Sequence, residues 1–186
     1  MELRSTPLAL QLVNDIHLQD WSRRGVATPD HVIRTKPWPL ILKKPPQLQG
    51  DEAIESCHVL EEWLHSAKLA LEKYINSYQD YFERQNARVG SHKQHLDPLP
   101  RLIAIPELGL VGLGRSTAEA NVTADIGEAW AATLMAAESV GRFQPVNEAD
   151  TFEMEYWSLE QAKLGKGKEA PLSRHIVSAT GGGGGI

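Results

Sequence analysis

The 186-residue chain has one cysteine, three phenylalanines and no long apolar run. Cys57 alone can form neither an intrachain disulfide nor a cysteine-rich zinc site, so a reducing, cytoplasmic setting is expected. Crossing a bilayer takes about 18 or more consecutive apolar residues, which excludes a membrane span. The opening MELRSTPLALQLVND is too short and too interrupted for a secretory signal. Positive charge is also in short supply. A formal net charge of −5 and a pI near 5.8 speak against non-specific nucleic-acid binding. Arg23-Arg24 and Lys43-Lys44 read as solvated surface. Several catalytic signatures are missing too. There is no H-x-H or H-E-x-x-H, no G-x-S-x-G elbow, and no tyrosine with lysine four residues on; Tyr156 is followed by Glu160.

What remains is 41% hydrophobic and 23% charged, ordinary for a globular domain. Residues 8–18 form one amphipathic stretch, expected as a short helix before Gly25. Residues 31–35 and 40–42 are β-branched or aliphatic runs punctuated by Pro37, Pro39, Pro45 and Pro46, which predicts short or edge strands. Over residues 52–85, Cys57, Leu60, Leu64, Ala67, Leu71, Tyr74, Tyr78 and Tyr81 recur at alternating spacings of three and four. That is one stripe of a long helix, with Asp51 as its N-cap. The stripe fits either a coiled-coil seam or packing against a sheet, and the second is expected. Residues 86–100 are polar and broken by Gly and Pro, so they read as a loop. Two strand runs, 102–105 and 108–113, flank Pro106. Ser116 or Thr117 then caps an Ala-rich helix over 118–140 that ends at Gly141. FEMEYWSLEQAKL (152–164) holds another helix. Together these predict an α/β fold: a small mixed sheet from residues 31–42 and 100–114, covered by the two long helices.

Beyond it lie a hydrophilic linker at 165–173 and, from 174, the strand HIVSA followed by TGGGGGI. Five of the chain's 15 glycines fall in its last six residues. A strand entering a glycine-rich turn lets backbone N–H groups approach a pyrophosphate. Thr180, Gly181, Gly185 and Ile186 resemble the T-G-x-x-x-G-I-G loop of short-chain dehydrogenases, with the last glycine and the following helix lacking. A polyglycine linker is the bland alternative. The expectation is therefore residues 1–164 as a connecting α/β domain and residues 174–186 as the incomplete start of a Rossmann-type domain.

Three blocks then line up in order: GVATPDHVIRTKPWPL (25–40), PRLIAIPELGLVGLGRSTAEANVTADI (100–126) and FEMEYWSLEQAKL. This order resembles the middle of the bifunctional class II aldolase/short-chain dehydrogenase family, whose members combine rhamnulose-1-phosphate aldolase and alcohol dehydrogenase activity in L-rhamnose catabolism. The resemblance implies an aldolase domain that binds zinc and a dehydrogenase domain that uses NAD. It implies cleavage of a ketose 1-phosphate to dihydroxyacetone phosphate and lactaldehyde, followed by oxidoreduction of the lactaldehyde. It also implies that this chain carries neither active site, that zinc and NAD are not expected to bind it alone, and that its partners are the aldolase and dehydrogenase domains of a longer protein. Homo-oligomerisation through the long helix stays open. LGLVGLG (108–114) is similar to the H-G-L-x-x-x-G segment of class II aldolases, with Leu108 where a zinc-binding histidine would stand. A degenerate aldolase-like unit and a simple β-turn-α unit both fit that segment.

Other candidates are weaker. His92-x-x-His95 lies in the broken loop, and His58 and His65 lie on the long helix; none completes a metal set. Gly112-x-Gly114-x-x-Thr117 departs from a dinucleotide fingerprint at its third glycine. If residues 31–36 form a strand, Arg34 and Lys36 share a face and His31 points the other way. Arg34 and Lys36 then bind a phosphate or, more in keeping with their surroundings, pair with acidic residues of a neighbouring domain. A self-contained interaction domain, its five tryptophans filling the core, and a small aldolase-like enzyme without a metal are the alternative readings of the whole.

Overall fold

The computed structural model describes residues 1–47 and 53–158, apart from the side chains of residues 30 and 53–56. The chain folds as mixed α/β. A four-stranded sheet has the order β1-β4-β3-β2, made of Glu2–Arg4 (β1), Leu40–Ile41 (β2), Leu102–Ile105 (β3) and Gly109–Gly112 (β4). β3 and β4 form an antiparallel hairpin, β1 adds antiparallel to β4, and β2 runs parallel to β3. Pro106 supplies the hairpin's first corner, and the amide of Leu108 donates to the carbonyl of Ile105 at 3.1 Å to close it.

Among the described residues there are six helices, most of them placed by local chemistry. Helix α1 (Pro7–Val13) starts because the Thr6 hydroxyl accepts from the amide of Ala9 and Pro7 occupies the first turn. It does not run on to Leu18 as one helix. The Asp15 carboxylate accepts from the amide of His17 at 2.8 Å, a local bond that competes with the helical ladder. A second helix, α2 (Leu18–Arg23), follows. The strand expected over 31–35 is also overturned. Pro29–His31 forms a single 3₁₀ turn and Val32–Thr35 a short helix, α3. The Thr35 hydroxyl reinforces that turn by donating to the carbonyl of His31 at 3.2 Å. Ser116 caps α5 (Thr117–Val140), accepting from the amide of Glu119. Asn147 caps α6 (Glu148–Glu155) in the same way through Asp150. Helix α4 spans Ala53–Arg88, and the expected cap Asp51 lies outside the described residues.

One face of the sheet packs against α1 and α5. Ala104 and Leu110 meet Ala9, Leu12, Trp130, Ala131 and Leu134 there. The helix comes close because Gly112 has no side chain: a Cβ there would lie 2.4 Å from the Ala120 carbonyl oxygen and 2.6 Å from the Ala124 nitrogen. The opposite face carries a row in register across all four strands, Leu3, Val111, Ile103 and Leu40. A second cluster stands apart. Tyr78, Tyr81 and Phe82 of α4 pack on Phe152 and Tyr156 at the end of α6. The stripe on α4 therefore divides. From Tyr74 onward it is buried, whereas Cys57, Leu60 and Leu64 are exposed. α4 thus covers the sheet only partly, touching β2 and α6.

Candidate functional site

The densest polar chemistry sits inside the second cluster. Lys36 follows α3, its amide donating to the carbonyl of Val32 at 3.0 Å. Its backbone has φ 68 and ψ 171, a conformation normally left to glycine, which costs about 1–3 kcal/mol. Pro37 requires extended ψ of the residue before it, so the chain leaves α3 abruptly and turns the Lys36 side chain inward. Its ammonium donates to the Tyr78 hydroxyl at 2.8 Å and lies 3.4 Å from Glu155 Oε1. The Tyr78 hydroxyl donates to Glu155 Oε1 at 2.7 Å, and Tyr81 donates to Oε2 at 3.2 Å. Tyr156 lies 2.8 Å from the Tyr78 oxygen. Because Tyr78 gives its proton to Glu155, Tyr156 is the donor in that pair.

Three phenols, one carboxylate and one ammonium from three distant segments thus converge. Lys36 is 5% exposed, Glu155 1%, and Tyr78 and Tyr81 0%. Burial pushes the Glu155 carboxyl above its ordinary range and the Lys36 ammonium below its own; each partner opposes the shift of the other. Burial also drives the Tyr78 and Tyr81 hydroxyls far up, with the Glu155 charge second. The phenols therefore stay protonated and act as donors. The arrangement can hold a charge pair out of water and fix the geometry of three helices. Lys36 also borders a small cavity of about 10 Å³, beside His31, Trp38 and Trp130.

Lys36, expected to meet a phosphate or a neighbouring domain, is here paired with Glu155 of its own chain. Arg34 does not share its face. It is half-buried on α3, and its positive charge acts on Glu119. Glu155 was the residue missed by sequence reasoning. Its signal was present, since it lies three and four residues after Phe152 and Thr151, on the buried face of α6.

The remaining candidates disperse. His95 packs edge-on against Phe82 at 4.5 Å and Tyr78 at 5.8 Å, a packing role. His58 pairs with Glu62 at 3.4 Å on the exposed part of α4. Leu108 is exposed, and its carbonyl accepts from the Ser5 hydroxyl. No group of three or more His, Cys, Asp or Glu is placed to hold a metal among the described residues, so they do not fit a zinc site. At the start of α5 the helix supplies its own anion. The Glu119 carboxylate accepts from the Arg115 guanidinium at 2.6 Å and from the Arg115 amide at 2.9 Å. These bonds hold the Glu119 carboxyl below its ordinary range. Gly112 and Gly114 serve close packing there, since a Cβ at Gly114 would lie 2.5 Å from the Ala120 nitrogen. A cleft of about 550 Å³ opens beside that helix end, with Leu40, Leu71, Ile103, Leu113, Arg101 and Arg115 among its lining residues. Thr180, Gly181, Gly185 and Ile186, with the strand before them, lie outside the described residues.

A mixed sheet with one face covered by an Ala-rich helix, and a helical annex bolted on by a buried ion pair, defines an α/β domain without an exposed catalytic set among its described residues. Residues 1–164 match the family model "Aldolase class II, second domain", and the chain belongs to that family. It is also 34% identical over 178 residues, 95% of its length, to the uncharacterized oxidoreductase YuxG of Bacillus subtilis (strain 168). The chain spans 24% of that relative's length. No solved structure matches.

Proposed function

We propose that this chain is the second, non-catalytic aldolase-type domain of a bifunctional class II aldolase/short-chain dehydrogenase that works in L-rhamnose catabolism. In that protein the aldolase activity cleaves rhamnulose 1-phosphate, and an NAD-dependent dehydrogenase acts on the lactaldehyde released. Residues 1–164 contribute architecture to it, and the glycine-rich tail from Thr180 leads into the cofactor domain. The observation that carries the reading is where the polar chemistry goes. Lys36, Tyr78, Tyr81, Glu155 and Tyr156 are bonded to one another inside the fold. The family match and a relative named as an oxidoreductase, about four times longer than the shared region, support the rest.

The test is direct. The purified 186-residue chain is incubated with rhamnulose 1-phosphate, and separately with lactaldehyde and NAD. No dihydroxyacetone phosphate and no NADH should appear, while the longer protein encoded in the same reading frame should produce both. Ketose 1-phosphate cleavage by the short chain alone would sink the proposal.

A further inference from the structure

The first half of α4 touches the domain on one side, through Trp63, and leaves part of its apolar stripe uncovered. Leu60 is 39% exposed and Leu64 52% exposed, on the stripe that from Tyr74 onward is buried. Leu71 sits at the junction and lines the apolar cleft together with Leu40 and Ile103, two members of the row on the sheet's second face. The exposed leucines thus lie on the same helix stripe as Leu71, which reaches the cleft. An exposed apolar stripe of this kind on a polar domain marks an interaction site.

We infer that a second copy of this chain covers it, its α4 lying antiparallel to the first across a two-fold axis near His65. The stripe is self-complementary in that direction. With spacings of three and four, reversing the helix on itself sets Leu60 against the partner's Leu71 and Leu64 against the partner's Ala67. The same register brings Glu61 beside the partner's Lys68, and the two-fold repeats that pair. Glu61 and Lys68 are both exposed and flank the stripe on one side. On the other side Trp63 is engaged with its own domain, its indole N–H donating to the Lys43 carbonyl at 3.1 Å. A parallel pairing would instead set Glu61 and Lys68 opposite Ser56 and Trp63, which carry no charge. The antiparallel arrangement is isologous and closes at two copies. It goes beyond the proposed function and does not depend on it.

Sedimentation equilibrium on the full 186-residue chain tests it. A reversible dimer is expected. Leu64→Glu should give a monomer with an unchanged far-ultraviolet circular dichroism spectrum, because the residue is exposed. Glu61→Lys turns two attractive pairs repulsive and should weaken the dimer roughly tenfold, and Glu61→Lys/Lys68→Glu should restore it. The antiparallel register also separates the two Cys57 side chains by about 25 Å along the helix axis, so oxidation should not link them. A chain that stays monomeric at every concentration, leaving this face to another domain, would overturn the dimer. So would a dimer indifferent to Leu64→Glu. Quantitative Cys57 cross-linking would overturn the antiparallel register. None of these results bears on whether the chain is catalytic, so they stand or fall apart from the activity assay.

Discussion

Two regions of this domain hold together by different physics. Around the sheet, small and aliphatic residues let backbones approach: Ala9, Ala104, Ala120, Ala124 and Ala131 are all fully buried. Cohesion there is non-directional, proportional to the apolar area removed from water. Around Glu155 the residues are large and aromatic, and the Lys36 and Glu155 charges at their centre are directional. The first region tolerates sliding but not added volume. The second tolerates little change in partner, because each polar atom depends on a named one. A buried ion pair adds little net stability over an apolar replacement, but removing one partner leaves the other stranded. What the pair supplies is definition: it fixes residues 36, 78 and 155, which no local signal brings together.

The largest effect should come from breaking the pair on one side. Glu155→Leu strands the Lys36 ammonium and removes the acceptor of Tyr78 and Tyr81, at a cost of about 3–5 kcal/mol. Lys36→Met/Glu155→Leu should recover most of that loss in urea denaturation. If the double variant is as unstable as the single one, the directional account of this region is wrong. Next comes added volume on the other side. Gly112→Ala places a methyl group 2.4 Å from the Ala120 carbonyl oxygen, against backbone that cannot rotate away. A loss of about 2–3 kcal/mol is expected, with α5 displaced from the sheet. A variant as stable as the parent would show that the helix can slide away cheaply. A smaller loss, about 1–2 kcal/mol, should follow Trp130→Phe, which removes the indole bond to the Gly25 carbonyl at 3.0 Å. Thermal unfolding in matched buffer would register it as a modest drop in midpoint.

The same contrast explains what could be read from the amino acids. Helices α4 and α5, the Ser116 cap, the stop at Gly141 and the strands on either side of Pro106 all follow from periodicity and local capping. The sheet region is built largely of such elements, though β1 is only three residues long and carries no period of its own. Residues 31–35 misled because Val32, Ile33 and Thr35 favour strands, whereas the 3₁₀ turn begun at Pro29 and the inward path of Lys36 favour helix. Thus the Arg34/Lys36 pair looked like a shared face and is not one. Half of the α4 stripe looked like core and is exposed, since a stripe records which side is apolar and not how far the body beneath it extends. The Glu155 centre was least legible. Lys36 is 42 residues from Tyr78 and 119 from Glu155, and the charge on Glu155 obscured its place on a buried helical face.

The smallest effect is in acid, where the two regions should move in opposite directions. The Arg115 bonds hold the Glu119 carboxyl below its ordinary 4.5, so the folded state binds its proton later than the unfolded chain. Stability from Glu119 is therefore present above about pH 4.5 and is lost as pH falls through the folded value. Asp20 and Glu138, lowered chiefly by Arg24 and by the Phe143 amide, have the same sign. Glu155 runs the other way. Burial raises it, so its contribution is present below the ordinary carboxylate range and is lost as pH rises through the folded value. Lys36, lowered by burial, has the sign opposite to Glu155, and a proton passed between the two changes no total. The pair should therefore be nearly silent around neutrality, and the acid loss should belong to the surface carboxylates. Unfolding midpoints in urea from pH 7 down to pH 2 would show it. Glu119→Gln should flatten part of the acid decline, while Lys36→Met/Glu155→Leu should leave the neutral plateau unchanged. A plateau that tilts in that double variant would mean that the buried pair exchanges protons with solvent, and the sealed centre would have to be redrawn as an accessible one.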